Sequence, residues 1–205
     1  MDPLDIFKDL KKKIVWLEIQ PESTLNLVEL AQYYNVSRNP VTLALTRLDA
    51  ETWVVRHGSH YVVSPLTVAR MREITEIRSL LEIQANTWAM HRMTARGCED
   101  LKAIKTEIEQ MEEGVSRNRI VELDVRFHQL LYREAQNEQL YRLLDHMLCH
   151  YLRFWLASPQ GINRQKFFVE ILGIIRALEE KDEVRLRAAT AEHIQVSMDE
   201  IMGRS

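Results

Sequence analysis

The stretch "NLVELAQYYNVSRNPVTLALTRL" (26–48) constrains the fold most, because it reads as two short helices joined by a tight turn. Asn26 is placed to cap the first helix, with Glu29 three residues on in a capping-box arrangement, and Leu27, Leu30 and Ala31 supply a packing side. "NVS" then turns the chain, and Ser37 stands where the second helix needs its N-cap. Arg38, Asn39 and Pro40 fill the first turn of that helix, where backbone N–H groups have no intrahelical acceptor, so proline costs little and presets φ. Val41, Ala44, Leu45 and Leu48 fall on one stripe. The opposite side carries Asn39, Thr42, Leu43 and Thr46, flanked by Arg38 and Arg47. Small polar side chains opposite a packed back suit insertion into a groove, and an ordinary surface helix has the same pattern.

The flanking segments extend the reading. Leu4, Phe7, Leu10, Ile14 and Leu17 recur at helical spacing and predict an earlier amphipathic helix with Lys11, Lys12 and Lys13 on its flank. Downstream, "TWVVRHGSHYVVSP" offers two β-rich runs, Trp53–Arg56 and Tyr61–Val63, around a two-residue Gly58-Ser59 turn, with Arg56, His57 and His60 at or near the tip. Helix, helix-turn-helix and hairpin in that order make a winged helix, whose wing can lie against phosphates or in the minor groove.

This segment resembles the GntR-type winged helix through Leu30, Ala31, Val36, Ser37, Arg38, Pro40, Val41, Ala44, Leu45, Leu48 and Val54. The resemblance implies double-stranded DNA as partner. The contact set then comprises Ser37, Arg38, Asn39, Thr42, Thr46 and Arg47 on the helix and Arg56, His57 and Gly58 on the wing. The chain also departs from the family pattern. Thr42 stands where an arginine is expected, Leu43 where an acidic residue is usual, and Thr52 where a glycine precedes the wing, which keeps one glycine of a common two. Thr42 removes a long cation able to read a guanine edge, while Leu43 can touch a thymine methyl, so an altered sequence preference is expected.

Bulk charge gives DNA binding no support. Lys and Arg number 27 against 30 Asp and Glu, a net charge of −3, and residues 1–65 are themselves slightly acidic. Nucleic-acid binders usually carry excess positive charge, so the reading rests on architecture and local placement. The apolar content of 46% fits a globular protein, and no apolar run reaches the roughly 18 residues of a membrane span. The N-terminus has no signal-peptide pattern, and Cys98 and Cys149 are too few and too distant for a disulfide framework, so a cytoplasmic location is expected.

From Thr67 onward the pattern is helical almost throughout, with breaks expected near Gly97, near Gly114–Asn118, at Asn137, around 157–163 and at Lys181–Asp182. The expected fold is therefore mainly α: a winged helix over 1–66, then an antiparallel bundle of about six helices over 67–205. Three features of the bundle can carry chemistry. Asp124 and His128 stand one turn apart, as a shared-metal pair or as a hydrogen-bonded Asp–His. His193 lies on the last helix, as a ligand or as a satisfied core or surface residue. Arg78 and Glu82 stand at i, i+4, as a helical ion pair or as an arginine held ready for a ligand carboxylate.

Together these segments resemble the FCD ligand-binding domain of FadR-type GntR regulators, through "REITEIRSLLEIQANTWA", "LDVRFHQLLYREAQNEQLYRLLDHMLCHYLRFW" and "IIRALEEKDEVRLRAATAEH". The resemblance implies a divalent metal (zinc, nickel or manganese) on Asp124, His128 and His193, beside a small effector such as an organic acid. A fourth histidine is expected after Glu170, where this chain has Ile171. Three ligands completed by water or effector, a recruited neighbour such as His150, and a metal-free site all remain open, and some relatives bind acyl-CoA without metal. The expected function is a homodimeric, ligand-responsive DNA-binding regulator. The alternatives are a helical-bundle metalloenzyme, for which no general base or nucleophile motif is evident, and a degenerate regulator acting as a protein-interaction module.

Overall fold

Asp2 opens the first helix by accepting the Asp5 N–H at 2.8 Å. Pro3 fits the following position, and α1 runs over Pro3–Val15. It buries Ile6, Phe7, Leu10, Ile14 and Val15. Leu4 stays exposed, and Leu17 lies past the helix end with φ 58°, so two of the five expected stripe residues are replaced by Ile6 and Val15. The computed structural model describes every residue except Ser59, Glu113, 159–163, Arg204 and Ser205, and leaves aside the side chains of 164–167.

A two-residue strand, β1 (Thr24–Leu25), precedes α2 (Leu27–Tyr33), and α3 follows as Arg38–Ala50. Asn26 caps α2 as expected, its Oδ1 accepting from Val28 N at 2.8 Å and Glu29 N at 3.4 Å. Of the residues expected to pack α2, only Ala31 is buried. Ser37 occupies the N-cap of α3, but its side chain makes no capping hydrogen bond. The stripe behind α3 is as expected: Val41, Ala44, Leu45 and Leu48 are at most 1% exposed. Burying each larger side chain contributes about 1.5–3 kcal/mol, which holds α3 down while its front stays in solvent.

β2 (Val54–His57) and β3 (His60–Val63) form the hairpin, with His57 paired to His60 across the turn. Gly58 has φ +61°, a left-handed conformation that glycine adopts without strain. Its expected turn partner Ser59 lies outside the described residues. β1 joins β3 on the other side, giving the antiparallel order β1-β3-β2.

Among the described residues six helices follow: α4 (Val68–Arg92), α5 (Ala95–Glu109), α6 (Arg117–Glu134), α7 (Glu138–Ala157), α8 (Arg164–Glu180) and α9 (Glu183–Met202). The break expected near Gly97 falls earlier, at Met93–Thr94, where the Thr94 hydroxyl accepts the Gly97 N–H at 3.0 Å and caps α5. Gly97 sits inside the first turn because the Glu134 carboxylate lies where its Cβ would be, with Cδ 2.5 Å from that position. The break expected at 157–163 falls mostly outside the described residues.

The chain forms two compact units: Met1–Arg70 with Leu152–Ala157, and Met71–Tyr151 with Ser158–Ser205. The first has its core under α3, around Trp53, Val54 and Val63. In the second, Ala85 on α4, Tyr132 on α6, Ala135 just past it, and Leu140, Leu144 and Leu148 on α7 form one buried cluster. The architecture is mainly α, a winged helix-turn-helix with a small sheet joined to a helical bundle.

Candidate functional site

The front of α3 presents Arg38, Asn39, Leu43, Thr46 and Arg47 to solvent, with Ser37 just before it and Thr42 half-buried among them. These side chains differ in freedom. Thr42 Oγ1 donates to the Arg38 carbonyl at 3.0 Å, so its hydroxyl is committed to its own helix. Arg47 is drawn back: Nε lies 3.1 Å from Glu51 Oε1, and its guanidinium sits 4.1 Å over the Phe7 ring of α1. Thr46 Oγ1 is 3.5 Å from Tyr61 OH on β3.

At the wing tip, Arg56 Nε donates to the Gly58 carbonyl at 3.2 Å, bracing the turn, while its backbone N–H donates to Asp49 on α3. The His57 and His60 rings stack with centroids 6.4 Å apart. Two cations of α1 are also engaged. Lys13 pairs with Asp9 at 2.7 Å and contacts Tyr33, and Lys11 approaches Glu51 at 3.7 Å and the Trp53 ring at 5.1 Å. The surface is shaped and polar rather than strongly positive.

In the helical unit, α6 and α9 bring Asp124, His128 and His193 together as the metal-suited group found among the described residues, all three buried. The i, i+4 spacing on α6 sets Asp124 Oδ1 3.2 Å from His128 Nε2. His193 crosses from α9, its Nε2 3.3 Å from His128 Nε2. Asp124 Oδ1 is buried and accepts no hydrogen bond of good geometry among the described residues.

Carboxylates stand behind both imidazoles. Glu82 Oε1 lies 3.6 Å from His128 Nδ1, and Glu170 Oε2 lies 3.4 Å from His193 Nδ1. Burial alone would push the His128 imidazole below its ordinary pKa, but the Asp124 and Glu82 charges hold it above. Asp124 shows the converse: burial would raise its carboxyl, and His128 holds it below the ordinary value.

This donor set fits a divalent ion. Ligands about 2.0–2.1 Å from a tetrahedral ion stand about 3.4 Å apart, close to the two spacings here. A carboxylate also lies within 3.4–3.6 Å of the far nitrogen of each imidazole, on the side from which a metal-bound histidine is usually supported. Ile171 is fully buried on α8 and offers no donor. His150 does not join the group; its ring packs against His146 at 4.6 Å.

Arg78 and Glu82 prove to be buried, not a surface pair, with Arg78 Nη2 2.9 Å and 3.1 Å from the two Glu82 oxygens. The Arg78 guanidinium lies 4.3 Å over the Tyr151 ring, and Tyr132 OH donates to Glu82 Oε1. Glu82 therefore links the arginine, a tyrosine and His128. Helical spacing reveals Glu82 only as the partner of Arg78, since nothing local signals a contact with a residue on α6. Asn86 Nδ2 donates to Thr190 Oγ1 at 3.0 Å, and that pair escapes sequence reading for the same reason, its members being 104 residues apart.

The chain matches the family model "Bacterial regulatory proteins, gntR family" over residues 4–60 and that of the FCD domain over 73–196. It is 28% identical over 200 residues to the HTH-type transcriptional regulator YdhC of Bacillus subtilis, covering 93% of this chain and 85% of that protein. The HTH-type transcriptional repressor RspR of Escherichia coli is 27% identical over 203 residues, covering 93% of this chain and 84% of its own. Among solved structures, E. coli McbR/YncC superposes with a TM-score of 0.84 at 21% identity, covering 98% of this chain and 97% of that one. Among the described residues no helix is long and apolar enough to cross a membrane. The winged helix, the histidine cluster and these matches agree: the chain belongs to the gntR family of bacterial transcriptional regulators, not enzymes, and carries an FCD domain.

Proposed function

We propose that this regulator works in the cytoplasm, binding a palindromic operator as a homodimer and changing its affinity when a small carboxylate effector enters the helical domain. The functional division is taken as 1–66 for DNA and 67–205 for effector binding and dimerisation. The observation that carries the reading is the two-sidedness of α3: its back is sealed while Arg38, Asn39, Leu43 and Thr46 stay in solvent. Such a helix enters a major groove while its partner reads a half-site about one helical turn away. Ser37, Arg38, Asn39, Thr42, Thr46 and Arg47 then form the groove-facing set, with Arg47 also propping α3 on α1, and Arg56, His57 and Gly58 meet the backbone beside it.

In the second unit, Asp124, His128 and His193 would hold zinc, nickel or manganese. When bound, the ion supplies a Lewis-acidic contact for an effector carboxylate. With Ile171 unable to ligate, water or the effector completes the set. Arg78 presents a positive charge to the same effector; its bonds to Glu82 use Nε and Nη2, and Nη1 is not among them. Effector binding shifts operator affinity by a coupling on the order of 1–3 kcal/mol.

A mobility-shift assay with genomic fragments over a salt series tests the operator reading. Retardation with a shallower salt dependence than basic relatives show is expected. No retarded fragment at low salt would reject operator binding and favour a protein-interaction role.

A further inference from the structure

Thr52 ends the reading helix in an unusual way. The Trp53 N–H donates to the Leu48 carbonyl at 2.9 Å and the Thr52 N–H to the Asp49 carbonyl at 2.9 Å, a Schellman stop that places Thr52 at φ +61°. That position normally takes glycine, because a β-branched residue there is strained. Here the strained residue is gripped from outside α3. Its carbonyl accepts Ser64 Oγ at 2.6 Å and Arg70 Nη2 at 3.1 Å, and its hydroxyl accepts the same Arg70 nitrogen at 2.7 Å. Arg70 stands in the first turn of α4, its own N–H held by Thr67 Oγ1 at 3.2 Å.

We propose that Arg70 is a positioning residue for operator binding: by gripping Thr52 it fixes the angle at which the wing leaves the reading helix. The proposal rests on reading α3 and the hairpin as the two DNA-contacting surfaces, and it goes beyond that reading by assigning control of their relative angle to a residue outside both. Glycine at this stop would keep the carbonyl contacts but lack the hydroxyl that Arg70 holds, so the departure from the family pattern at Thr52 adds the shorter of the two Arg70 contacts. The arrangement has a regulatory consequence. The α4 helix that carries Arg70 also carries Arg78 and Glu82, about two and three turns further along. An effector that displaces the first turn of α4 would also displace the Arg70 guanidinium and its hold on Thr52.

The test is a double-mutant cycle on the full chain, comparing Arg70→Ala, Arg70→Lys, Thr52→Gly and Thr52→Gly/Arg70→Ala. DNA affinity is read by anisotropy over a salt series on a fragment the wild type retards, and folding by thermal melting without DNA. Arg70→Ala should weaken binding about tenfold in the wild-type background and about threefold in the Thr52→Gly background, where the carbonyl contact remains, a difference within the range of coupled neighbours. Arg70→Lys should recover part of the loss, since both contacts come from the single Nη2 and one ammonium can donate to both Thr52 oxygens. The salt slope should not change, because the lost cation is not a phosphate contact. Equal losses in both backgrounds, or a slope reduced by about one, would make Arg70 a direct DNA contact and overturn the proposal. If the wild type retards no DNA, the operator reading fails on its own. The melting cycle still decides the grip, and additive melting shifts would overturn that too.

Discussion

His128 Nε2 and His193 Nε2 face each other at 3.3 Å, and Asp124 Oδ1 lies 3.2 Å from the first of them. Two neutral imidazoles cannot both aim lone pairs at one point, so a proton or a cation must lie between them. If the cation is a divalent metal, zinc, nickel or manganese will raise the melting temperature of the wild type and not of His128→Ala. Glu170→Gln keeps all three donors but loses the carboxylate behind His193, and should weaken metal affinity about 10–100-fold. Calorimetric titration of the metal-stripped protein measures both. A metal-dependent shift that survives in His128→Ala refutes the assignment.

Gly97 and Glu134 form a second pair whose coupling can be measured. A Cβ on Gly97 would meet the Glu134 carboxylate, which is held by Thr94 N at 2.8 Å and Thr94 Oγ1 at 2.9 Å and cannot simply swing away. Gly97→Ala should destabilise by about 1–3 kcal/mol in urea unfolding. In a Glu134→Ala background the clash is gone, and the same substitution should stabilise by up to about 1 kcal/mol through helix propensity. Equal effects in both backgrounds would show that the close approach is not what selects glycine.

Glu134 also gives stability a pH dependence. Burial would raise its carboxyl, but the Thr94 N–H and hydroxyl together with Arg133 hold its pKa below the ordinary value. Its contribution is therefore complete above the unfolded value of about 4.3 and is lost as pH falls through the lower folded value. Wild type should exceed Glu134→Gln in unfolding free energy at neutral pH, and the gap should close below about pH 4. A gap that is constant between pH 7 and pH 3 would rule this out.

What can be read from the sequence follows the range of the interactions. The α3 stripe and the Asp124–His128 pair are set by helical period alone, so spacing reveals both. The carboxylates behind the histidines, Glu82 and Glu170, are placed by packing between helices distant in the chain, and no local pattern ties either of them to a histidine. β1 has no periodicity of its own in two residues; it exists because the free side of β3 pairs with it. Gly97 misleads as a helix break because a glycine rule based on backbone freedom ignores glycines selected for a missing side chain. Thr52 shows the converse, a glycine conformation held by a residue that sequence rules would not place there.

The departures at Thr42 and Leu43 predict how the proposed reading surface behaves. Thr42→Arg adds a cation to the front of α3 and should tighten DNA binding while steepening the salt slope by about one. Leu43 is 52% exposed, and Leu43→Ala should relax discrimination at a single thymine position and leave the salt slope alone. Arg38→Ala should weaken binding evenly across sequences. A binding-site selection experiment repeated at two salt concentrations separates the three. Identical selected sequences for wild type and Leu43→Ala would remove Leu43 from the readout.

The homodimer reading needs a surface, and α4 offers one in Leu80, 75% exposed, with Ile77 at 45% one turn away. Apolar side chains this open in mid-helix are a cost that a second copy would relieve by covering them. Leu80→Glu leaves the protomer's own core untouched, so circular dichroism and metal response should match the wild type. If α4 meets a second copy there, burying the new charge should weaken dimerisation at least about 100-fold, visible by sedimentation equilibrium. A palindromic operator depends on both half-sites being engaged at once, so affinity for the full site should fall toward that for a half-site. A Leu80→Glu protein that sediments as an unchanged dimer would place the interface elsewhere.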